Sequence, residues 1–290
     1  MAASVVGQVD LRAENISKIV TGFALQAYKL KQLCAESSSS SWKESYYVEG
    51  STELTGGTGS AVKGIPRLAN FPYGEPNWTK TSSYLEKYGM EGQISWEDAN
   101  TDEIDVQQRT LLRISRAVAS AVDSQINAVI ITACAAANTF ALTALYEWDA
   151  VAIANRDPVG DLLKAKRYIS VDNYDIDDGS GYVVMHPTQY EQLLGNSKVV
   201  NNPTFKGADV VQNGVVGQIV GLKIIVSNNV TAKTIYVVKA KDALTWKSAA
   251  GLTVRTIENP GISILIRAWE VGVCQVPNPN AMCSITGVSV

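Results

Sequence analysis

Apolar residues along this chain recur with two periods, and the change from one to the other divides the sequence. Between residues 14 and 36, Ile16, Ile19, Val20, Phe23, Ala27, Leu30 and Cys34 recur mostly at steps of three and four. That spacing lays one apolar stripe along a helix, and it predicts a single helix over 14–36. The serine run Ser37–Ser41 follows. Serine hydroxyls compete for backbone hydrogen bonds, so the run predicts an exposed connector.

The strongest periodic signal starts at Thr101. Thr101 can cap a helix, with Asp102, Glu103 and Asp105 supplying negative charge to the first turn, where the helix dipole favours it. Leu111, Ile114, Val118, Val122, Ile126 and Val129 then form one face, with Arg109, Arg113 and Arg116 on another, and no Gly or Pro interrupts from Thr101 to Ala137. At 1.5 Å per residue this is a rod of roughly 50 Å. Helices in globular domains average about 11 to 12 residues, so a rod of this length is a structural axis. The arginine row reads first as a solvated or ion-paired face and second as a contact for phosphates.

Beyond it the period shortens. A helix, PVGDLLKAKRYI, begins at Pro158. The strand GYVVMHP leads into a short helix, PTQYEQLLGN, started by Pro187 or Thr188 and closed by Gly195. Strands follow in GVVGQIVGLKIIVSNNV, TIYVVKAKDALTW, GLTVRTIENP and ISILIRAWEVGVCQVPNPNAMCSITGV, where Ile262, Ile264 and Ile266 alternate. The last segment predicts a long strand and a return hairpin turning at Pro277–Asn280. Helices lie early and strands late, so the fold class is mixed α+β.

Residues 42–96 fit neither period. Eight glycines and three prolines (Pro66, Pro72, Pro76) exclude a long helix. The segment predicts an open two-stranded loop. It also holds nine of the chain's 22 aromatic residues: Trp42, Tyr46, Tyr47, Phe71, Tyr73, Trp78, Tyr84, Tyr88 and Trp96. An isolated hairpin is marginal in water, and aromatics are enriched in protein interfaces. The rings therefore point to a partner surface, with packing on the chain's own core as the alternative.

Composition narrows the function classes. The chain has 290 residues, a net charge of -3 and 18% charged residues. This rules out a strongly basic nucleic-acid binder as the default reading and argues against a disordered chain. The N-terminus lacks a basic start followed by an apolar core; this predicts retention in the cytosol. Cys34, Cys134, Cys274 and Cys283 form no CxxC pair and read as free thiols in a reducing compartment. Ser124 to Tyr146 carry no charge, but they are rich in Ala, Thr and Asn. A helix buried in protein is expected there, with no membrane span.

The search for chemistry returns no site. The single histidine, His186, stands between Met185 and Pro187 without a nucleophile motif. The cluster Asp172, Asp175, Asp177 and Asp178 fails the calcium-loop template and reads as a solvated turn. GGTGS lacks the ending of a phosphate loop, and GVVGQIVG has the wrong spacing for a dinucleotide turn. No catalytic, cofactor or metal site is expected.

The order of elements resembles the major capsid proteins of tailed bacteriophages, the Hong Kong 97-like fold. The likeness is carried by an arm, a long two-stranded loop and an uninterrupted helix. Further on, VVMHP leads into PTQYEQLLGN, then GVVGQIVGLKIIVSNNV, AKDALTW as a short helix after a strand, and the ending ILIRAWEVGVCQVPNPNAM. The resemblance implies an N-terminal arm at 1–41, an extended loop at 42–96 and a peripheral domain with the spine helix at 97–144. It then implies an axial domain at 145–250 and a return to the peripheral domain at 251–290. It implies a non-enzymatic protein that assembles as hexamers and pentamers into an icosahedral capsid around double-stranded DNA. It further implies scaffold and portal proteins as partners, packaged DNA contacted without sequence preference, and assembly in the host cytoplasm. The assembly-interface residues singled out are Trp42, Tyr46, Tyr47, Phe71, Tyr73 and Trp78. The charged scaffolding extension common in the family is missing before the arm, which fits a separate scaffold protein or a mature sequence. No motif selects a cross-linking pair among Lys63, Lys80, Asn278 and Asn280. Two alternatives stand beside this reading: an encapsulin-like compartment shell with the same fold, and a soluble hydrolase with an unrecognised acidic pair.

Overall fold

The computed structural model describes residues 13–50, 65–71, 78–97, 104–136, 138–200 and 217–289. Helix α1 (Ala13–Ala27) leads through a short 3-10 turn (Lys31–Leu33) into β1 (Ala35–Ser38). Strands β2 (Lys43–Val48), β3 (Thr79–Tyr84) and β4 (Glu86–Ser95) precede helix α2 (Ile104–Ala136). The Thr101 cap lies outside the described residues. Then come β5 (Thr139–Ala141), α3 (Pro158–Val171), β6 (Gly181–Met185), α4 (Pro187–Leu194) and α5 (Ser197–Val200). The chain ends in β7 (Gln218–Ile219), β8 (Leu222–Val226), β9 (Thr234–Lys239), β10 (Thr245–Asn259), β11 (Ser263–Gln275) and β12 (Met282–Thr286).

These strands form three sheets: β1-β10-β11-β4, β5-β12-β9-β6-β8-β7, and the pair β2-β3. Helix α2 joins the two larger ones. In its first half Leu111, Ile114 and Val118 are buried with Ile94, Ile266 and Ala268 over the four-stranded sheet. In its second half Val122, Ile126, Ile130 and Cys134 are buried with Val183, Tyr236, Val237 and Ile285. One 33-residue helix thus supplies a face to both cores, as its uninterrupted stripe requires. The close fit is visible at Gly92 on β4. A Cβ there would lie 2.6 Å from Ile114 Cδ1 and 2.9 Å from Thr110 Cγ2, so only glycine lets the strand approach the helix this closely.

Four sequence expectations need correction. The helix predicted over 14–36 ends at Ala27. Asp123, in the middle of α2, accepts the backbone N–H groups of Lys29, Leu30 and Lys31 at 2.9, 3.1 and 3.3 Å. These bonds cap a turn and send the chain away as β1, a tertiary signal that no local period carries. The serine run is only partly a connector. Ser37 and Ser38 pair in parallel with Lys247 and Ser248 of β10. The stretch AKDALTW forms a single turn after β9, with Ala243 N–H donating to Lys239 O and Lys241 at φ 67°, in place of a helix. The last segment makes no return hairpin. After the 3-10 turn Pro279–Ala281 the chain crosses to the other sheet, where β12 pairs with β5 and β9. The charge-free stretch from Ser124 is divided between α2 and β5.

Removing the Asp123 carboxylate leaves three N–H groups without their acceptor. Hydrogen bonds to charged groups contribute roughly 1.5 to 3 kcal/mol net, and three that share one carboxylate are not additive. We expect Asp123→Ala to lower stability by about 2 to 4 kcal/mol, read as a shifted urea midpoint at unchanged slope.

Candidate assembly surface

The β2-β3 hairpin is built by six antiparallel pairs, from Lys43↔Tyr84 to Val48↔Thr79. Two hydrogen bonds tie it to the rest of the chain, and a third extends its own ladder by one step. Glu49 N–H donates to Pro277 O at 2.9 Å, Leu85 N–H to Trp42 O at 3.1 Å and Gln275 Nε2 to Ser83 Oγ at 2.8 Å. Burial raises the pKa of the Tyr46 hydroxyl. The two-residue period of a strand sends successive side chains to opposite faces, so Tyr46 is half-buried toward the chain's own body and Tyr47 points away.

The outward rings are held without being covered. Trp42 is 69% exposed, Tyr47 53%, Phe71 83% and Trp78 52%. Tyr47 and Trp78 face each other across the two strands with ring centroids 5.7 Å apart. Tyr84 and Trp96 are exposed as well, while Tyr88 packs against Trp246. Tyr73 and Lys63 lie outside the described residues. Of the six residues singled out from sequence, four are exposed rings, one faces inward and one is not described.

A second apolar surface was missed from sequence. Residues 143–155 form a loop whose ends meet, with Asn155 Nδ2 donating to Leu145 O at 3.2 Å. Its middle is pinned by the fully buried Trp148, whose indole N–H donates to Asp161 Oδ2 at 2.9 Å and whose backbone N–H donates to Val288 O at 2.8 Å. Arg156 holds the Ala150 and Asp149 carbonyls. The loop nevertheless presents Leu145, Tyr146, Val151 and Ile153 to solvent, Val151 at 98% exposure. Leu145 adopts φ 77°, a region that costs a branched side chain free energy and persists only when its surroundings impose it. The available signal was LTALYEWDAVAIAN: many apolar residues with neither period, bounded by Pro158.

The N-terminal arm is tied to the sheet by a buried polar cluster. Glu270 on β11 is fully buried. It accepts the Tyr28 hydroxyl at 2.5 Å, the Lys31 ammonium at 2.6 Å and the Trp246 indole N–H at 3.2 Å. Lys31 also stands over the Tyr28 and Trp246 rings. Burial, then the bond to Glu270, pushes the Tyr28 hydroxyl far above the ordinary tyrosine range, so it stays a donor at every physiological pH.

Groups with chemical potential are engaged structurally. His186 caps α4, its Nδ1 accepting Thr188 N–H at 3.3 Å. The Asp175 and Asp178 carboxylates close the turn before β6, and Asp177 and Asp178 pair with Lys166 and Lys239. Among the described residues no group of three or more His, Cys, Asp and Glu is placed to hold a metal. Asn278 donates to Asp242 O at 3.1 Å in the turn before β12, and Lys80 is exposed on β3. All four cysteines are buried free thiols. The Cys274 sulfur and then burial raise the pKa of Cys34, and burial pushes Cys283 up to about 12. Neutral buried thiols are poor nucleophiles. A maleimide should therefore leave the native protein unlabelled and modify all four positions after unfolding, as read by mass spectrometry.

The comparisons with known proteins agree with this geometry. A family model described as phage capsid protein matches residues 78–285. No curated protein matches. Among solved structures, the capsid of cyanophage P-SCSP1u is similar with TM-score 0.69 at 16% identity, over 89% of this chain and 88% of that one. The virus-like particle from Pyrococcus furiosus is similar with TM-score 0.64 at 12% identity, over 94% and 98%. The capsid of a native GTA particle gives TM-score 0.63 at 12% identity, over 91% of each chain. At such identities the likeness concerns the fold, which is the α+β architecture of Hong Kong 97-like capsid proteins. With the family model covering well over half its length, the chain belongs to the phage capsid protein family and is a structural protein of the capsid.

Proposed function

We propose that this protein closes into an icosahedral shell of hexamers and pentamers around double-stranded DNA, assembled in the host cytoplasm with a scaffold and a portal protein. The observation that carries this reading is the hairpin β2-β3. It is tied to the rest of the chain through Glu49 and Ser83, yet Trp42, Tyr47 and Trp78 stand in solvent. Exposed rings on a rigid support are hot-spot geometry, and a shell repeats each such contact by symmetry. Trp42, Tyr47, Phe71, Tyr73 and Trp78 would lie on an adjacent subunit, with Tyr46 bracing the hairpin from behind. The loop 143–155 supplies a second contact between copies, since its apolar side chains are presented by a backbone that cannot fold them away.

The division into arm, extended loop, peripheral and axial parts follows the same logic. The four-stranded sheet with α1 and the first half of α2 forms the peripheral part. The six-stranded sheet with α3 and α4 forms the axial one, and its strands β5 and β12 come from the 97–144 and 251–290 stretches expected in the peripheral part. β4 falls within the 42–96 stretch but pairs with β11, so the free limb is the β2-β3 hairpin and its tip. Electron microscopy of the purified full chain tests the proposal. Closed particles with five-fold and six-fold capsomers are expected; a monodisperse monomer at high concentration under every assembly condition contradicts it.

A further inference from the structure

We propose that the outer face of α2 is a binding row for nucleic-acid phosphates, formed by Arg109, Arg113 and Arg116 and continued by the cleft beside Arg116. The inference rests on the capsid reading and names the surface that meets the packaged polymer. At 3.6 residues per turn the three arginines fall within about 60° of one another, diametrically opposite Leu111, Ile114, Val118 and Val122. All three are exposed. The ion pairs among the described residues join other groups and leave these three guanidiniums without a carboxylate. Asp105 lies in the first turn of the helix; beyond Arg109 its one acid, Asp123, is buried and occupied by three backbone N–H groups. From Arg109 to its end the helix therefore shows solvent only positive charge, in a chain whose net charge is -3.

The row spans roughly 10 Å, enough to touch successive phosphates of one strand. It runs into a cleft of about 600 Å³ lined by Arg116, Lys29, Ser120, Asn228 and Asn229, with Phe23 on one wall; Asp123 also lines it, its carboxylate engaged by the backbone N–H groups of Lys29, Leu30 and Lys31. Lys29 reaches across to Val226 O at 2.7 Å, and Ser120 Oγ donates to Asn229 Oδ1 at 3.0 Å. The cleft therefore has fixed polar walls. Planar guanidiniums spaced along a rod and followed by neutral donors suit phosphodiesters, whose charge is regular and whose bases need not be read. Three arginines on a mildly acidic protein give loose, sequence-independent contact, which a polymer that must later leave the shell requires. The row accordingly faces the interior.

The test uses the full chain as unassembled subunits and as closed shells, for wild type and R109Q/R113Q/R116Q. The probes are a 30-base-pair duplex of mixed sequence and poly-glutamate. Each phosphate contact contributes about 0.9 to the slope of log affinity against log salt. The triple variant should lose roughly 2 to 3 from that slope and at least about tenfold in duplex affinity at low salt. It should unfold at the wild-type temperature, and wild-type closed shells should bind no duplex added outside. Unchanged duplex binding in the variant overturns the proposal. So does a larger loss for poly-glutamate than for duplex, which would assign the row to an acidic protein segment, or duplex bound by intact shells through the row, which would place it outside. Particle formation is scored separately by microscopy. A wild type that forms no shells refutes the capsid reading, while the duplex titration still decides the arginine row.

Discussion

Replacing Trp42, Tyr47 and Trp78 together by serine leaves a folded subunit that no longer closes into shells. Each ring can bury about 150–250 Å² against a partner, and hot-spot aromatics contribute about 2 kcal/mol or more apiece. Loss of one such anchor weakens a contact roughly thirtyfold at 1.4 kcal/mol per decade. A closed shell repeats that loss at every subunit, so the effect on assembly is close to total. The fold itself should survive. The three side chains are exposed and sit outside both hydrophobic cores, and the bonds at the hairpin base use backbone groups, Ser83 and Gln275. Light scattering and microscopy read assembly, and circular dichroism reads the fold. Shells at wild-type yield from the triple variant would show that the rings serve another purpose.

The largest effect on the single subunit is expected from Glu270→Ala. The wild-type carboxylate is fully buried and holds Tyr28, Lys31 and Trp246. Lys31 is itself largely covered, at 16% side-chain exposure, so removing Glu270 leaves its ammonium only the longer, exposed pair with Glu36 at 3.9 Å. Breaking a buried pair from one side costs about 3–5 kcal/mol. For a chain of this size that lowers the melting temperature by roughly 10 °C. Glu270→Gln keeps an acceptor for Tyr28 and should lose less. The damage should concentrate in the arm, because Tyr28 and Lys31 are the residues released. Hydrogen exchange across residues 28–38 should then rise before that of β11, and equal protection of both would contradict the assigned role.

What the sequence disclosed depends on whether the signal was local. The long helix was legible because Leu111, Ile114, Val118, Val122 and Ile126 repeat without a break, and all five are buried. The β2-β3 hairpin was legible from glycine, proline and the density of rings. The end of α1 was not, since the Asp123 carboxylate that stops it comes from a helix about 90 residues later in the chain. The destination of β12 was equally hidden. MCSIT reads as a strand, but its partners β5 and β9 are chosen by the core it fills. Glu270 looked like one acid among many until β11 placed it beside Trp246 and the arm. The apolar loop at 143–155 had no period to announce it, and only its exposure on a pinned backbone marks it as a surface made for contact.

A particle reconstruction that traces residues 42–48 and 78–84 in a closed shell tests the central claim most directly. The account predicts the Trp42, Tyr47 and Trp78 rings within van der Waals contact of a neighbouring subunit, covered by it and dry. Finding the same rings packed against their own subunit, or still facing solvent in an intact shell, would contradict it.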